Sequence, residues 1–213
     1  MRVALTGTPG TGKTTAAERL PYEVVHLNEA VTEEQLWTER DDERDSLVVD
    51  VDALREWVDE HVGGAGETDE NDDTSDATDD GDAADASDDA VIVLESHLAH
   101  LLDADRVVVL RCRPDVLESR LRERGESAEK ARENAETADP SQALTRKARE
   151  NAESEALDVI LSEVVGDHGT EHVYEIDTTD RSPEDVAVEI ERVVTGDREP
   201  SAGGVDFIDY LHS

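Results

Sequence analysis

Cysteine, lysine and aromatic residues are nearly missing from this chain. Among 213 residues there are one cysteine, one Phe, two Trp and three Tyr. The lone Cys112 excludes an intramolecular disulfide and any cluster of thiolates. The histidines show no metal-ligand spacing, so no structural zinc is expected. Cys112 lies in an apolar stretch and reads as a small core residue rather than a nucleophile. No apolar run approaches the ~20 residues needed to span a bilayer. The N-terminus leads straight into a strand pattern without a signal-peptide pattern. A soluble, cytoplasmic protein is expected.

Lysine occurs three times, at Lys13, Lys130 and Lys147, and the chain sets 56 acidic against 20 basic residues, a net charge of −36. Such a field repels RNA and anionic membranes over long range. Crowded carboxylates are tolerated where salt is molar, because the Debye length then shrinks to about 3 Å. The composition looks like that of a cytosolic protein of a salt-accumulating halophile. An acidic, partly disordered mesophilic protein is the competing reading. It ranks lower because the acid excess extends well beyond the low-complexity segment.

One domain is the natural expectation for this length. Short apolar runs alternate with helical patterns. Strands are expected at 2–6, 23–27, 91–95, 106–111 and 172–176. Helices are expected from Lys13, then over 33–40, 51–62, 114–124, 154–165 and 183–194. The runs VIVLE and RVVVLR are continuous rather than alternating, as in strands buried on both faces. The pattern predicts an α/β fold with a parallel sheet flanked by helices. Residues 66–89 hold twelve acids and no lysine or arginine. They read as a disordered acidic insertion. KARENAE occurs at 130–136 and again at 147–153, a local duplication with Pro140 separating two helices. The tail, 196–213, has apolar residues only toward 205–211, and the sequence leaves its docking open.

Gly7-Thr8-Pro9-Gly10-Thr11-Gly12-Lys13-Thr14 fits GxxxxGK[ST] at every fixed position. Glycines permit the turn that aims successive N–H groups at phosphate oxygens, and the following helix adds its positive end. Lys13 is expected to reach the β- and γ-phosphates of ATP, and the Thr14 hydroxyl to ligate Mg²⁺. The motif sits between a strand and a helix, where this mechanism requires it. Glu95-Ser96-His97 ends the third apolar run, where ligands of open parallel sheets bind. Glu95 can hold Mg²⁺ through water or orient an acceptor, and His97 can position a water or a phosphate. Each also reads as a cap or a satisfied polar residue. Arg120, Arg122 and Arg124 share one predicted helix and suit the charge that phosphoryl transfer spreads over equatorial oxygens. Surface pairing with Glu118 and Glu123 is the alternative, with Arg124 the preferred exception. Arg40 and Arg44 suit either an acceptor phosphate or simple surface pairs.

Together these residues resemble the archaeal and eukaryotic adenylate kinase group associated with small ribosomal subunit maturation. The resembling stretches are GTPGTGKTT at 7–15, EEQL at 33–36, the acidic-apolar stretch at 50–54, ESH at 95–97, and 106–125 followed by KARENAE. The resemblance implies a P-loop NTPase with a five-stranded parallel sheet, a lid and a monophosphate-binding region. It implies nucleoside monophosphate kinase activity, ATP hydrolysis, and a role in ribosome biogenesis and rRNA processing through a small-subunit ribosomal protein and the pre-30S particle. Carried over, ATP contacts fall on Gly10, Thr11, Gly12, Lys13, Thr14, Thr15 and Arg124. Catalytic roles fall on Lys13, Glu95, His97 and Arg124, and Mg²⁺ on Thr14 and Glu95. The kinase domain is expected over 1–195, the lid over about 124–153 and the monophosphate region over 28–52. Members often carry an arginine in the helix before EEQL, where this chain has Thr32.

Overall fold

Continuous apolar runs build the centre of the molecule. The computed structural model describes residues 1–41, 46–62, 90–132 and 140–212. The expectations for 66–89, for Arg44 and for the last four residues of the first KARENAE copy lie outside them. In chain order the elements are β1 (Arg2–Thr6), α1 (Lys13–Ala17), β2 (Glu23–His26), α2 (Leu27–Glu33), β3 (Trp37–Asp41), β4 (Ser46–Val49) and α3 (Val51–His61). Then follow β5 (Ile92–Glu95), β6 (Arg106–Arg111), α4 (Pro114–Arg132), α5 (Pro140–Ala156), α6 (Val159–His168), β7 (Val173–Asp177) and α7 (Pro183–Thr195). Among the described residues no helix is long and apolar enough to cross a membrane.

The chain divides into two compact units, residues 1–29 with 91–213, and residues 30–90. The first unit holds a five-stranded parallel sheet in the order β2-β5-β1-β6-β7. Strand alternation sends Val3 and Leu5, Val108 and Leu110, and Tyr174 and Ile176 to one face. There they pack against Ala16, Ala17 and Leu20 at α1 and against α7. The buried residues of α7 are Val186, Ala187, Ile190, Val193 and Val194, a stripe at helical spacing. Its start is fixed by a capping box between Ser182 and Asp185 with Pro183 in the first turn, and Gly196 closes it at φ 83°. A second, smaller core is formed by Cys112, Leu117 and Ala152, with Tyr210 packed against it.

The second unit corrects one expectation. Residues 33–40 do not form a helix. Instead α2 ends at Glu33, Gln35 turns to φ 58°, and β3 pairs antiparallel with β4. The EEQLW pattern satisfies a helical period. Trp37 and Thr38 favour a pleated strand, however, and the partner run LVV at 47–49 supplies the pairing that decides it. α3 follows, with the Asp50 side chain accepting from Ala53 N at 3.1 Å and Leu54 and Val58 buried one turn apart.

Two helices of the first unit also differ from expectation. α4 continues through Gly125 to Arg132. The helix expected over 154–165 is two helices, broken where Asp158 adopts the left-handed conformation at φ 51°. The Asp158 carboxylate is paired with Arg111, and that contact holds the break. The tail docks on the first unit. Ser201 N donates to Val173 O at 2.9 Å, and Gly204 N donates to the Glu175 carboxylate at 2.6 Å. The Phe207 ring centroid lies 5.7 Å from the Arg111 guanidinium carbon.

Candidate active site

The loop after β1 turns against β6 so closely that no side chain fits at its start. Gly7 has φ +136°, and a Cβ there would lie 2.3 Å from the Leu110 carbonyl oxygen. The Thr8 carbonyl then accepts from Thr11 N at 3.2 Å and from the Thr11 hydroxyl at 2.9 Å, which closes the turn. Gly10, at φ +100°, lies against Leu121 of α4, which a Cβ would approach to 2.9 Å.

Lys13 opens α1 and folds back over this loop. Its ammonium donates to Gly7 O at 2.8 Å and to Thr8 O at 3.2 Å. Burial lowers its pKa to about 8, opposed by the negative charges of Glu95 and Glu155. Lys13 therefore remains mostly charged at neutral pH. The Thr14 hydroxyl donates to Glu95 Oε1 at 3.2 Å, while Glu95 Oε2 meets His26 Nδ1 at 2.9 Å. β1, β5 and β2 are adjacent parallel strands, so their carboxyl ends bring Gly7, Glu95 and His26 to one edge. Ser96 Oγ donates to Asn28 Oδ1 at 2.9 Å.

A cavity of about 660 Å³ opens above this edge. All nine residues expected from the sequence to bind nucleotide or act in catalysis line it: Gly10, Thr11, Gly12, Lys13, Thr14, Thr15, Glu95, His97 and Arg124. Burial and the charges of Lys13 and His100 lower the His97 pKa to about 4, so its imidazole is neutral at pH 7. Of Arg120, Arg122 and Arg124 on α4, Arg120 and Arg124 line the cavity. Arg122 instead pairs with Glu118 one turn earlier. Arg120 also donates to the carbonyls of Thr178 at 3.0 Å and Thr179 at 3.1 Å. Arg40 lies exposed on β3, in the second unit.

Sequence reasoning missed several participants. His26 ends β2 opposite Glu95, and the strand-end rule could have found it. Thr178 donates from its hydroxyl to Thr11 O at 3.0 Å and carries no motif. Glu155, on α5, has a buried carboxylate that accepts from the Thr8 hydroxyl and from Arg111 Nε at 2.7 Å.

The AAA domain family model matches residues 3–158. A protein of Natronomonas pharaonis named "Putative adenylate kinase" is 51% identical, covering 99% of this chain and 100% of the relative. One of the same name from Halobacterium salinarum is 48% identical over 99% of this chain and 100% of its own length. A third, from Methanosarcina barkeri, is 36% identical with the same coverage of both. The chain belongs to this adenylate-kinase-like family.

The oxygens gathered in this family member suit a hard cation. Mg²⁺ takes one or two carboxylate or hydroxyl oxygens beside phosphate oxygens and water, rather than a full protein cage. Thr14 and Glu95 present such a pair. Among the described residues no three His, Cys, Asp or Glu gather as a metal cage.

Proposed function

We propose that the protein is a nucleoside monophosphate kinase that transfers the γ-phosphate of ATP to AMP or another nucleoside monophosphate. The observation that carries this is the convergence of Lys13, the Thr14–Glu95 pair, Arg120 and Arg124 on one cavity at the strand ends. The loop's N–H groups and the α1 terminus bind the phosphates, and Lys13 exchanges its loop carbonyls for phosphate oxygens. Mg²⁺ held by Thr14 and Glu95 would neutralise charge on the β- and γ-phosphates. An acceptor phosphate oxygen forms the new bond to the γ-phosphorus as the bond to the bridging oxygen breaks, leaving ADP. Arg124 and Arg120 balance the charge on the equatorial oxygens. The second unit contains residues 30–52 of the expected monophosphate region, and residues 124–153 are the proposed lid.

A second reading is an ATPase that serves ribosome assembly, with kinase activity secondary. The neutral His97 in the same cavity favours it, because a neutral imidazole can orient a water. One assay separates the two. ATP is supplied with AMP, CMP, UMP or GMP in molar KCl, and diphosphates and free phosphate are both measured. Acceptor-dependent diphosphate formation is expected. Free phosphate alone, with every acceptor, would overturn the kinase reading.

A further inference from the structure

Thr8 is the node of the phosphate loop, although it is not one of the motif's fixed positions. Its carbonyl receives Lys13 Nζ at 3.2 Å, Thr11 N at 3.2 Å and the Thr11 hydroxyl at 2.9 Å. Its hydroxyl points away from the cavity and donates to Glu155 Oε2. The other oxygen of Glu155 accepts from Arg111 Nε at 2.7 Å and from Cys112 N at 3.2 Å. Thr8, Arg111 and Glu155 are each no more than 3% exposed. Glu155 thus joins three elements: the loop, the end of β6 and the foot of α5. α5 carries the second KARENAE copy, within the proposed lid.

We propose that Glu155 is a positioning residue that holds the phosphate loop through Thr8, so that the triphosphate cradle is set by the foot of α5 and not by the loop alone. The reasoning is preorganisation. A glycine-rich loop has many backbone states, and only those that aim its N–H groups together bind phosphate. Fixing Thr8 fixes the carbonyl around which Lys13 and Thr11 are arranged. A ligand then orders less of the loop when it binds. The charge of Glu155 also reaches Lys13, whose protonated form it favours against burial. Arg111 Nε holds one carboxylate oxygen, which leaves the second aimed at Thr8. The inference rests on the kinase reading only in taking ATP as the ligand.

The test is the affinity for a non-hydrolysable ATP analogue with Mg²⁺, measured by calorimetry in molar KCl. Thr8→Val removes the donor while keeping the shape, and Thr8→Ser keeps the donor. Thr8→Val and Glu155→Gln should each raise Kd about tenfold, the range of one lost charge-assisted hydrogen bond. Thr8→Ser should bind as wild type. The double variant should bind no more weakly than the weaker single variant, because both changes remove the same link. Wild-type affinity in Thr8→Val, equal weakening in Thr8→Ser, or effects that multiply in the double variant would each overturn the proposal. If Glu155→Gln does not fold, the Thr8→Val and Thr8→Ser pair decides alone. A wild type that binds the analogue but forms no diphosphate would overturn the kinase reading and leave this test standing.

Discussion

The hydroxyl of Thr14 lies 3.2 Å from a carboxylate oxygen of Glu95, 81 residues away in the chain. β1 and β5 pair in register with Leu5 opposite Glu95, so the strand end and the start of α1 meet there. A hydroxyl and a carboxylate held this way would supply two of the six oxygens of a Mg²⁺ shell. Glu95→Gln keeps the shape and removes the charge. The Mg²⁺ concentration needed for half-maximal activity should rise about ten- to hundredfold, the usual range for such changes at a metal site. An unchanged Mg²⁺ titration would remove Glu95 from the metal shell.

Lys13→Ala should abolish both phosphate transfer and ATP hydrolysis while the circular dichroism spectrum is retained. Lys13 contributes charge at the phosphate site, and its buried contacts are with loop carbonyls rather than with the apolar core. A folded variant with normal turnover would take the glycine-rich loop out of the mechanism.

Arg124→Ala should lower kcat far more than it raises KM for ATP. Arginines that act on developing charge contribute about 10³–10⁵-fold in rate. Arg122→Ala is the internal control, because Arg122 is paired with Glu118 on the helix surface. Equal kcat in the two variants would reduce Arg124 to a surface residue.

Acid should destabilise the fold through two histidines. Burial lowers the His97 pKa from 6.5 to about 4. Burial also lowers that of His100, against the pull of Glu163. Below pH 6.5 the unfolded chain takes up protons that the folded chain refuses, so stability falls as the pH drops toward about 4. Thermal midpoints at constant high KCl should decline over that window, and His97→Asn should flatten the decline. A midpoint that does not change with pH would refute this origin.

Raising KCl from about 0.1 M to about 1 M shortens the Debye length from about 10 Å to about 3 Å. With a net charge of −36 the folded chain gains more from this screening than the expanded one. A gain of about 4 kcal/mol would raise the thermal midpoint by roughly 10 °C for a chain of this size. A midpoint independent of KCl would sink the halophilic reading of the composition.

Much of the candidate site was legible because its parts are local. The GxxxxGK[ST] loop is a contiguous backbone device, and Glu95 and His97 follow directly from the end of an apolar run. The central strands announced themselves because burial on both faces leaves only apolar residues. The β3–β4 hairpin was not legible, since EEQLW carries a helical period and its strand state depends on pairing with 46–49. The break at Asp158 was hidden for a similar reason, because its cause, Arg111, lies 47 residues earlier. Glu155 sits in a polar helical stretch with many acids, and nothing local marks it as the one that is buried.

The tail has a consequence for how the chain is made. The Glu175 carboxylate is 1% exposed and takes two of its hydrogen bonds from the N–H groups of Gly204 and Val205. Phe207 covers the Arg111 guanidinium that pairs with it. During synthesis the glycine-rich loop and β6 therefore emerge well before the groups that satisfy the charges buried beneath them. A nascent chain stopped short of residue 204 would lack both N–H donors to the Glu175 carboxylate and the ring over Arg111, so this buried charge cluster is complete only once the tail has been made.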